Sequence, residues 1–209
     1  MRIKNSLSNT ISNLVSFLLV LILTMIMRSV FFENLGSEYF GLNALVANYL
    51  TLLSLAELGL GVAVVYSFYK PISDNDMHTI SCLLRFYKKI YKIIAATVLV
   101  LGIILLPLFF MTVKGGFGFE TFAVIFLLYL FNAVASYLIA YKRSFLYALQ
   151  KSYLMVYPDL IFKVMNVLCQ IYILNLEVAS DLKLYLFSLS LVFFTVLSNV
   201  YIHVMVQRN

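Results

Sequence analysis

The chain has 209 residues, of which 63% are hydrophobic and 11% charged, and its formal net charge is +6. Soluble domains are about half apolar and one quarter charged, so this much apolar surface cannot be hidden inside one soluble core. The basic residues fall between apolar runs, which indicates a role in orienting membrane helices and not in binding nucleic acid. The composition therefore predicts an integral membrane protein with essentially no soluble domain.

Six apolar stretches are long enough to cross a hydrocarbon core of about 30 Å, which takes about 20 helical residues. The sequence therefore predicts an all-α, polytopic bundle of six transmembrane helices that forms a single lobe. Four stretches have a long uncharged core, whereas the second contains Glu57 and the fifth contains Asp159 and Lys163. The predicted helices cover residues 10–32, 41–69, 91–113, 121–141, 153–176 and 184–206.

Lysine and arginine collect in alternate connections between these stretches, as expected of loops that stay in the cytoplasm. If the amino terminus is cytoplasmic, the outer loops hold only Lys114 and Lys183. Both termini are therefore predicted to be cytoplasmic. The basic residues placed on that side are Arg2, Lys4, Lys70, Arg85, Lys88, Lys89, Lys92, Lys142, Arg143, Lys151 and Arg208.

The longest connection, residues 70–92, predicts an amphipathic helix at the cytoplasmic surface. Ser73 or Asp74 is expected to cap this helix, which then continues into the third transmembrane helix. Four basic residues spaced i, i+3, i+4 and i+7 share one side of it. They either anchor the helix to anionic lipid head groups or form a dedicated site for an acidic ligand. This basic face consists of Arg85, Lys88, Lys89 and Lys92.

Charged residues inside membrane spans are the candidates for a functional site. Each costs about 2.5–3.5 kcal/mol on insertion scales and is expected to face the bundle interior or a hydrated cavity. Arg28, near the outer end of the first helix, either snorkels to the interface or lines a cavity. Lys163 is expected to pair either with Asp159, four residues earlier in the same helix, or with Glu57, which lies at a similar depth. Glu57 and Lys163 then serve as a structural ion pair or handle substrate or protons, unless the helix boundaries differ and both are interfacial.

The sequence lacks the residue combinations that catalysis or metal binding requires. His78 and His203 have no acidic or cysteine partner at ligand spacing, and Cys82 and Cys169 lie in dissimilar surroundings. The isolated histidines therefore predict no metal site. The two cysteines are predicted to be free thiols and not a disulfide. We therefore expect no enzyme activity and no cofactor.

The first third of the chain contains four distinctive motifs: RSVFF at 28–32, LGSEYFGLN at 35–43, LSLAELGLG at 53–61 and YSFYKP at 66–71. These motifs resemble the amino-terminal region of bacterial polysaccharide (O-antigen) flippases. Those proteins belong to the multidrug/oligosaccharidyl-lipid/polysaccharide exporter superfamily. The resemblance extends from about Arg28 to Lys92 and is limited to helix spacing beyond that range.

The resemblance implies one lobe of a transporter that is built from two six-helix lobes. Such a transporter carries undecaprenyl-diphosphate-linked oligosaccharide across the bacterial inner membrane during lipopolysaccharide or other polysaccharide biosynthesis. Arg28 and Lys163 would be cationic contacts for the diphosphate. The partners of the chain would be this lipid-linked oligosaccharide and the surrounding membrane lipid. Because the cavity lies between lobes, this chain would need a missing carboxy-terminal half, a separately encoded second half, or a second copy of itself as a parallel homodimer.

Two other functions fit the same sequence. A drug or cation exporter of the superfamily would use Glu57 as a carboxylate coupled to protons or sodium. A membrane subunit that does not transport would instead scaffold a polysaccharide assembly complex.

Overall fold

Six α-helices and the turns between them form the computed structural model, which describes residues 2–54, 57, 59–113 and 116–208. The side chains described are those of residues 14–54, 57, 59–113 and 116–206. Lys114 and the side chains of Arg2, Lys4 and Arg208, which entered the topology prediction, lie outside this part. The helices are α1 (Arg2–Ser54), α2 (Leu60–Ser73), α3 (Met77–Phe110), α4 (Phe119–Ala148), α5 (Tyr153–Leu174) and α6 (Ser180–Arg208).

Five of these helices are long and apolar enough to cross a membrane, and the described residues contain no strand. Many large apolar side chains on them point outward, as Phe17 and Ile104 do at 66% and 63% exposure. Lipid tolerates such a surface, and a helix satisfies its own backbone hydrogen bonds within lipid. The predicted all-α, polytopic membrane bundle is therefore confirmed.

The first two predicted helices meet without a loop inside α1, whose helical conformation is interrupted at the single residue Gly36. This glycine has a φ of 81° and a ψ of −179°, a conformation essentially restricted to glycine. Nine residues of straight helix span about 13.5 Å, yet the rings of Phe31 and Phe40 are centred 6.0 Å apart in an edge contact. The chain thus bends sharply at a single residue.

The prediction of one continuous helix over 41–69 is wrong. α1 ends at Ser54, α2 begins at Leu60, and Gly59 precedes it with a φ of 76°, in the left-handed region. Leu55, Ala56 and Leu58 lie outside the described residues. The 14 residues of α2 extend only about 21 Å, which is too short to cross a bilayer alone. A break in the helix therefore falls at Glu57.

Helix α3 joins the predicted surface helix and the third predicted span into 34 continuous residues. At 1.5 Å per residue it is about 51 Å long, so it extends beyond a hydrocarbon core of about 30 Å. Its cap is Asp76, not Ser73 or Asp74 as predicted. The Asp76 carboxylate accepts a hydrogen bond of 3.0 Å from the Thr79 backbone N–H, which satisfies one of the free donors of the first turn.

Helices α3 to α6 run alternately up and down, so each end of the bundle holds the amino termini of two of these helices and the carboxy termini of the other two. At one end, called here the basic end, Lys142 of α4 contacts His203 of α6, and Lys88 on the basic face of α3 is close enough to act on both electrostatically. At the opposite end, Tyr39 donates a 2.9 Å hydrogen bond to Asp181, and Tyr185 donates one of 3.2 Å to Thr121. This alternation agrees with the predicted topology, while the assignment of the basic end to the cytoplasm stays a prediction.

Helix α4 lies at the centre of the bundle and packs on α1, α2, α3 and α6. Its aromatic and aliphatic residues Phe122, Ile125, Phe126 and Leu130 are fully buried. Gly102 of α3 packs tightly against α4, since an added Cβ would lie 2.6 Å from Leu130 Cδ1. A small residue is therefore required at that contact between α3 and α4.

Candidate functional site

One side of α5 carries four polar residues in a membrane-length helix. Asp159, Lys163, Asn166 and Gln170 are spaced i, i+4, i+7 and i+11, which places them on a single helical face. Asn166 and Gln170 are buried, and both bond to α6: Asn166 accepts from Ser190 at 3.2 Å, and Gln170 donates to the Phe187 carbonyl at 3.4 Å. A polar seam therefore runs between α5 and α6.

Asp159 forms an ion pair with Arg143 of α4, not with Lys163 as one of the predictions had it. The Arg143 guanidinium donates two hydrogen bonds to the carboxylate, one of them 3.1 Å long, and another of 3.2 Å to Asn199. The Ser198 hydroxyl also donates to Asp159. The carboxylate is thus satisfied by α4 and α6, and its charge is neutralised by an arginine that the sequence prediction had placed in a loop.

Lys163 is left without an ion-pair or hydrogen-bond partner among the described residues. It is half-buried and lies ten residues into α5, about 15 Å from the start of that helix. The predicted pair with Glu57 does not form, because Glu57 bonds elsewhere. Lys163 is therefore a cation with donors available to a ligand.

Two adjoining cavities share Lys163 and Asp159. The first, of about 250 Å³, is called here the α5–α6 cavity, and the second, of about 380 Å³, is called the α1–α5 cavity. The α5–α6 cavity is lined by Arg143, Asp159, Phe162, Lys163, Asn166, Leu191, Phe194, Thr195 and Ser198. The α1–α5 cavity is lined by Ser16, Phe17, Val20, Val156, Asp159, Leu160 and Lys163.

The α1–α5 cavity contains a second polar group without a partner. The buried hydroxyl of Ser16 makes no hydrogen bond within the described part of the chain. Buried polar groups in native structures are nearly always satisfied by protein, water or ligand. With Lys163 and Ser16 on its walls and apolar side chains elsewhere, this space suits a ligand that has both an anionic and an apolar part.

Arg28 does not belong to this site, although it was predicted to share a ligand with Lys163. It is exposed and lines a shallow cavity with Glu33 near the bend at Gly36. Ser16, which faces the Lys163 cavities, is twelve residues away, or about 18 Å along α1. This helical rise separates the two cations, and Arg28 remains at the surface.

Glu57 lies in the break between α1 and α2, where it is half-buried. Its Oε1 accepts a 3.0 Å hydrogen bond from the hydroxyl of Tyr91 on α3. Gly61 adjoins this contact, since a Cβ added there would lie 3.9 Å from the same oxygen. The break gives Glu57 a tyrosine partner on another helix, and the break itself was not predicted.

The basic face of α3 has the predicted geometry. Its four members are exposed, whereas Tyr87 on another side of the helix is half-buried and Tyr91 is buried. Use of this face as a lipid anchor stays a prediction. The four members are Arg85, Lys88, Lys89 and Lys92.

No model of a known protein family, no curated protein and no solved structure matches this chain. The resemblance to polysaccharide flippases therefore stays a prediction from the motifs.

Proposed function

We propose that this chain is the membrane-embedded lobe of a transporter for an anionic, lipid-linked oligosaccharide. The observation that carries the proposal is Lys163, a cation without a partner among the described residues on the wall of two adjoining cavities. An isolated charge in a membrane span is costly and marks a substrate or ion pathway by default.

The charges around the cavities favour an anion. Arg143 neutralises Asp159, so the addition of Lys163 leaves one net positive charge on the shared wall. An anion 4 Å from an ammonium gains about 4 kcal/mol at an effective dielectric constant of 20. A diphosphate would gain more than a single charge does, and a cationic drug would be repelled.

The surroundings of Lys163 also suit a lipid tail. Phe17, Val20 and Leu160 line the α1–α5 cavity beside the cation, and Phe17 is largely exposed on the outer surface of α1. A substrate with an anionic linkage and an isoprenoid chain can place the anion against Lys163 and the chain against these apolar side chains. Together with the flippase-like motifs, this favours undecaprenyl-diphosphate-linked oligosaccharide in a bacterial inner membrane.

The oligosaccharide itself needs a larger passage than this lobe provides. Cavities of about 250 and 380 Å³ hold a diphosphate and part of a chain, but not several sugars. We therefore propose that a second six-helix lobe, from the same gene, another gene or a second copy, completes the pathway by alternating access.

Binding of a defined lipid tests the proposal. The full chain in nanodiscs of phosphatidylcholine is titrated with undecaprenyl diphosphate that carries a disaccharide. Lys163→Gln should weaken binding by about 10- to 100-fold, because hydrogen bonds to charged groups contribute about 1.5–3 kcal/mol. Lys151→Gln, at an exposed turn, is the matched control and should bind normally. Equal affinity of the Lys163→Gln variant and the original chain would refute the proposal.

A second function, an exporter driven by a proton or sodium gradient, is favoured by Glu57 alone. Interrupted helices are where many transporters bind their coupling ions, and Glu57 lies at such an interruption. Reconstituted protein with its second lobe should then lose gradient dependence in Glu57→Gln while Lys163→Gln still transports a cationic dye. A scaffold subunit would show neither response.

A further inference from the structure

A second place in the molecule combines positive charge with an apolar surface, and it shares no lining residue with the two Lys163 cavities. It is a groove of about 330 Å³ between α4 and α6, called here the α4–α6 groove. Four residues of α4, from Phe131 to Ile139, and four of α6, from Val196 to His203, form its walls. Phe131 and Val200 are more than half exposed, so the groove opens on the outer surface of the bundle.

The α4–α6 groove leads toward a cluster of cations at the basic end. Lys142 follows Leu138 of the groove by one helical turn, and its ammonium lies 3.1 Å from His203 Nδ1 and 3.3 Å from the His203 carbonyl oxygen. Lys88 of the basic face is close enough to repel both groups electrostatically. Lys142 and His203 thus join α4 to α6, and Lys88 on α3 adds a second positive charge nearby.

No acidic side chain among the described residues forms an ion pair with Lys142, Lys88 or His203. The ion pair that the described residues do form joins Arg143 to Asp159. Lys142 is nevertheless only 7% exposed. Burying a cation beside another cation is unfavourable unless an anion compensates for it. A negative group that the described residues do not supply would compensate for this charge.

The donors of the cluster are arranged to receive such a group. A protonated lysine can only donate, so Nδ1 of His203 accepts and the ring proton remains on Nε2 as a further donor. Lys142 uses two of its N–H groups on His203, and Lys88 is exposed. A phosphate oxygen next to the imidazole would find donors from α3, α4 and α6.

We infer that the cluster binds the phosphate of an anionic phospholipid, one acyl chain of which occupies the α4–α6 groove. Along α4 the groove is about 12 Å long, from Phe131 to Ile139, which accommodates part of a single chain. Lys88 belongs to the exposed basic face, so the cluster lies at head-group level. Basic pockets between membrane helices on the cytoplasmic side are typical sites for anionic head groups.

Native mass spectrometry of the full chain in neutral detergent, titrated with phosphatidylglycerol, tests the inference. We expect one tightly retained lipid, and about fivefold weaker binding for Lys88→Gln, which removes a charge. His203→Gln removes the imidazole donor and should weaken binding by a similar factor of about two to ten. Arg85 and Lys89 belong to the same basic face but not to the cluster. The Arg85→Gln and Lys89→Gln variants should therefore bind the lipid as the original chain does. Ala135→Phe, which fills the groove without altering charge, should also weaken binding.

The remaining arms decide between sources of the phosphate. Phosphatidylcholine should bind equally to the original chain and to the Lys88→Gln and His203→Gln variants, and 10 mM inorganic phosphate should not displace phosphatidylglycerol. Displacement by phosphate, or tighter binding of undecaprenyl phosphate than of phosphatidylglycerol, would overturn the assignment to a phospholipid. Equal retention by the His203→Gln and Lys89→Gln variants would overturn the site itself. Lys142→Gln is omitted because its burial makes misfolding a competing explanation, and circular dichroism verifies the fold of the other variants.

Discussion

Replacing Arg143 with glutamine should weaken binding of an anionic lipid although Lys163 is unchanged. In the structure Arg143 holds the Asp159 carboxylate with two hydrogen bonds, one of 3.1 Å, and so leaves Lys163 free. Asp159 and Lys163 are spaced i, i+4 and can reach each other once the arginine is gone. The carboxylate would then compete with the ligand for the ammonium.

The size of the effect follows from the exposure of the pair. The side chains of Arg143 and Asp159 are 28% and 34% exposed. Exposed ion pairs contribute about 0–1 kcal/mol, whereas breaking a buried pair costs about 3–5 kcal/mol. A new pair between Asp159 and Lys163 in this intermediate setting should be worth about 1–2 kcal/mol, which corresponds to a loss of affinity of about 5- to 30-fold.

The assay is the nanodisc titration with undecaprenyl diphosphate that carries a disaccharide. Arg143→Gln should lose affinity, and the double variant Arg143→Gln, Asp159→Asn should recover most of it, because the competing carboxylate has been removed. Arg143→Lys retains the positive charge and is the matched control. Binding by the double variant that is no better than binding by Arg143→Gln alone would refute the reasoning, since Arg143 would then contact the ligand itself.

Three further predictions concern the bundle and its topology. Gly102→Leu should lower the free energy of unfolding in detergent by about 1–3 kcal/mol because α3 and α4 cannot separate without strain, and an unchanged denaturation midpoint would contradict the packing described. Hydrogen bonds from Thr79 hold the pKa of Asp76 below its ordinary value, so the cap should stabilise the start of α3 above a pH of about 3.9 and be lost as the pH falls through the lower folded value. Amide exchange in the first turn of α3 should follow that loss, and Asp76→Asn should abolish its pH dependence. Exposed Cys82 should react with a membrane-impermeant maleimide only after cells are permeabilised, while Ser180→Cys in a background without native cysteines should react in intact cells; the reverse pattern would invert the topology.

Residues whose role depends on neighbours distant in sequence are the ones for which sequence predictions were wrong. Asp159 and Lys163 have ideal spacing for a pair within α5, yet Arg143 from α4 takes the carboxylate. Lys163 and Glu57 appeared to share a depth, but Glu57 bonds Tyr91 on α3 instead. The spacing of residues along one helix does not show which side chain of another helix will compete for the same group. The position of that side chain depends on how α4, α5 and α6 pack.

A signal for the polar seam was nevertheless present in the sequence. Asn166 and Gln170 continue the face of Asp159 and Lys163 at i+7 and i+11, and a search for polar as well as charged residues at helical spacing finds all four. The cluster of Lys142 with His203 had no such signal, since the two residues are 61 positions apart.

The sequence by itself determined that the chain is a bundle of membrane helices. Apolar runs of about 20 residues, the alternation of basic loops and the helical spacing of the basic face are local properties, and a lipid environment leaves the helix as the way to satisfy each backbone group. Tertiary structure alone decided where the helices bend or break, at Gly36 and Gly59, and which charge remains free. A glycine permits a left-handed conformation without requiring it, and the free energy of an ion pair depends on partners that packing brings within about 4 Å. Lys163 is therefore available to a ligand because helix packing pairs Asp159 with Arg143 instead.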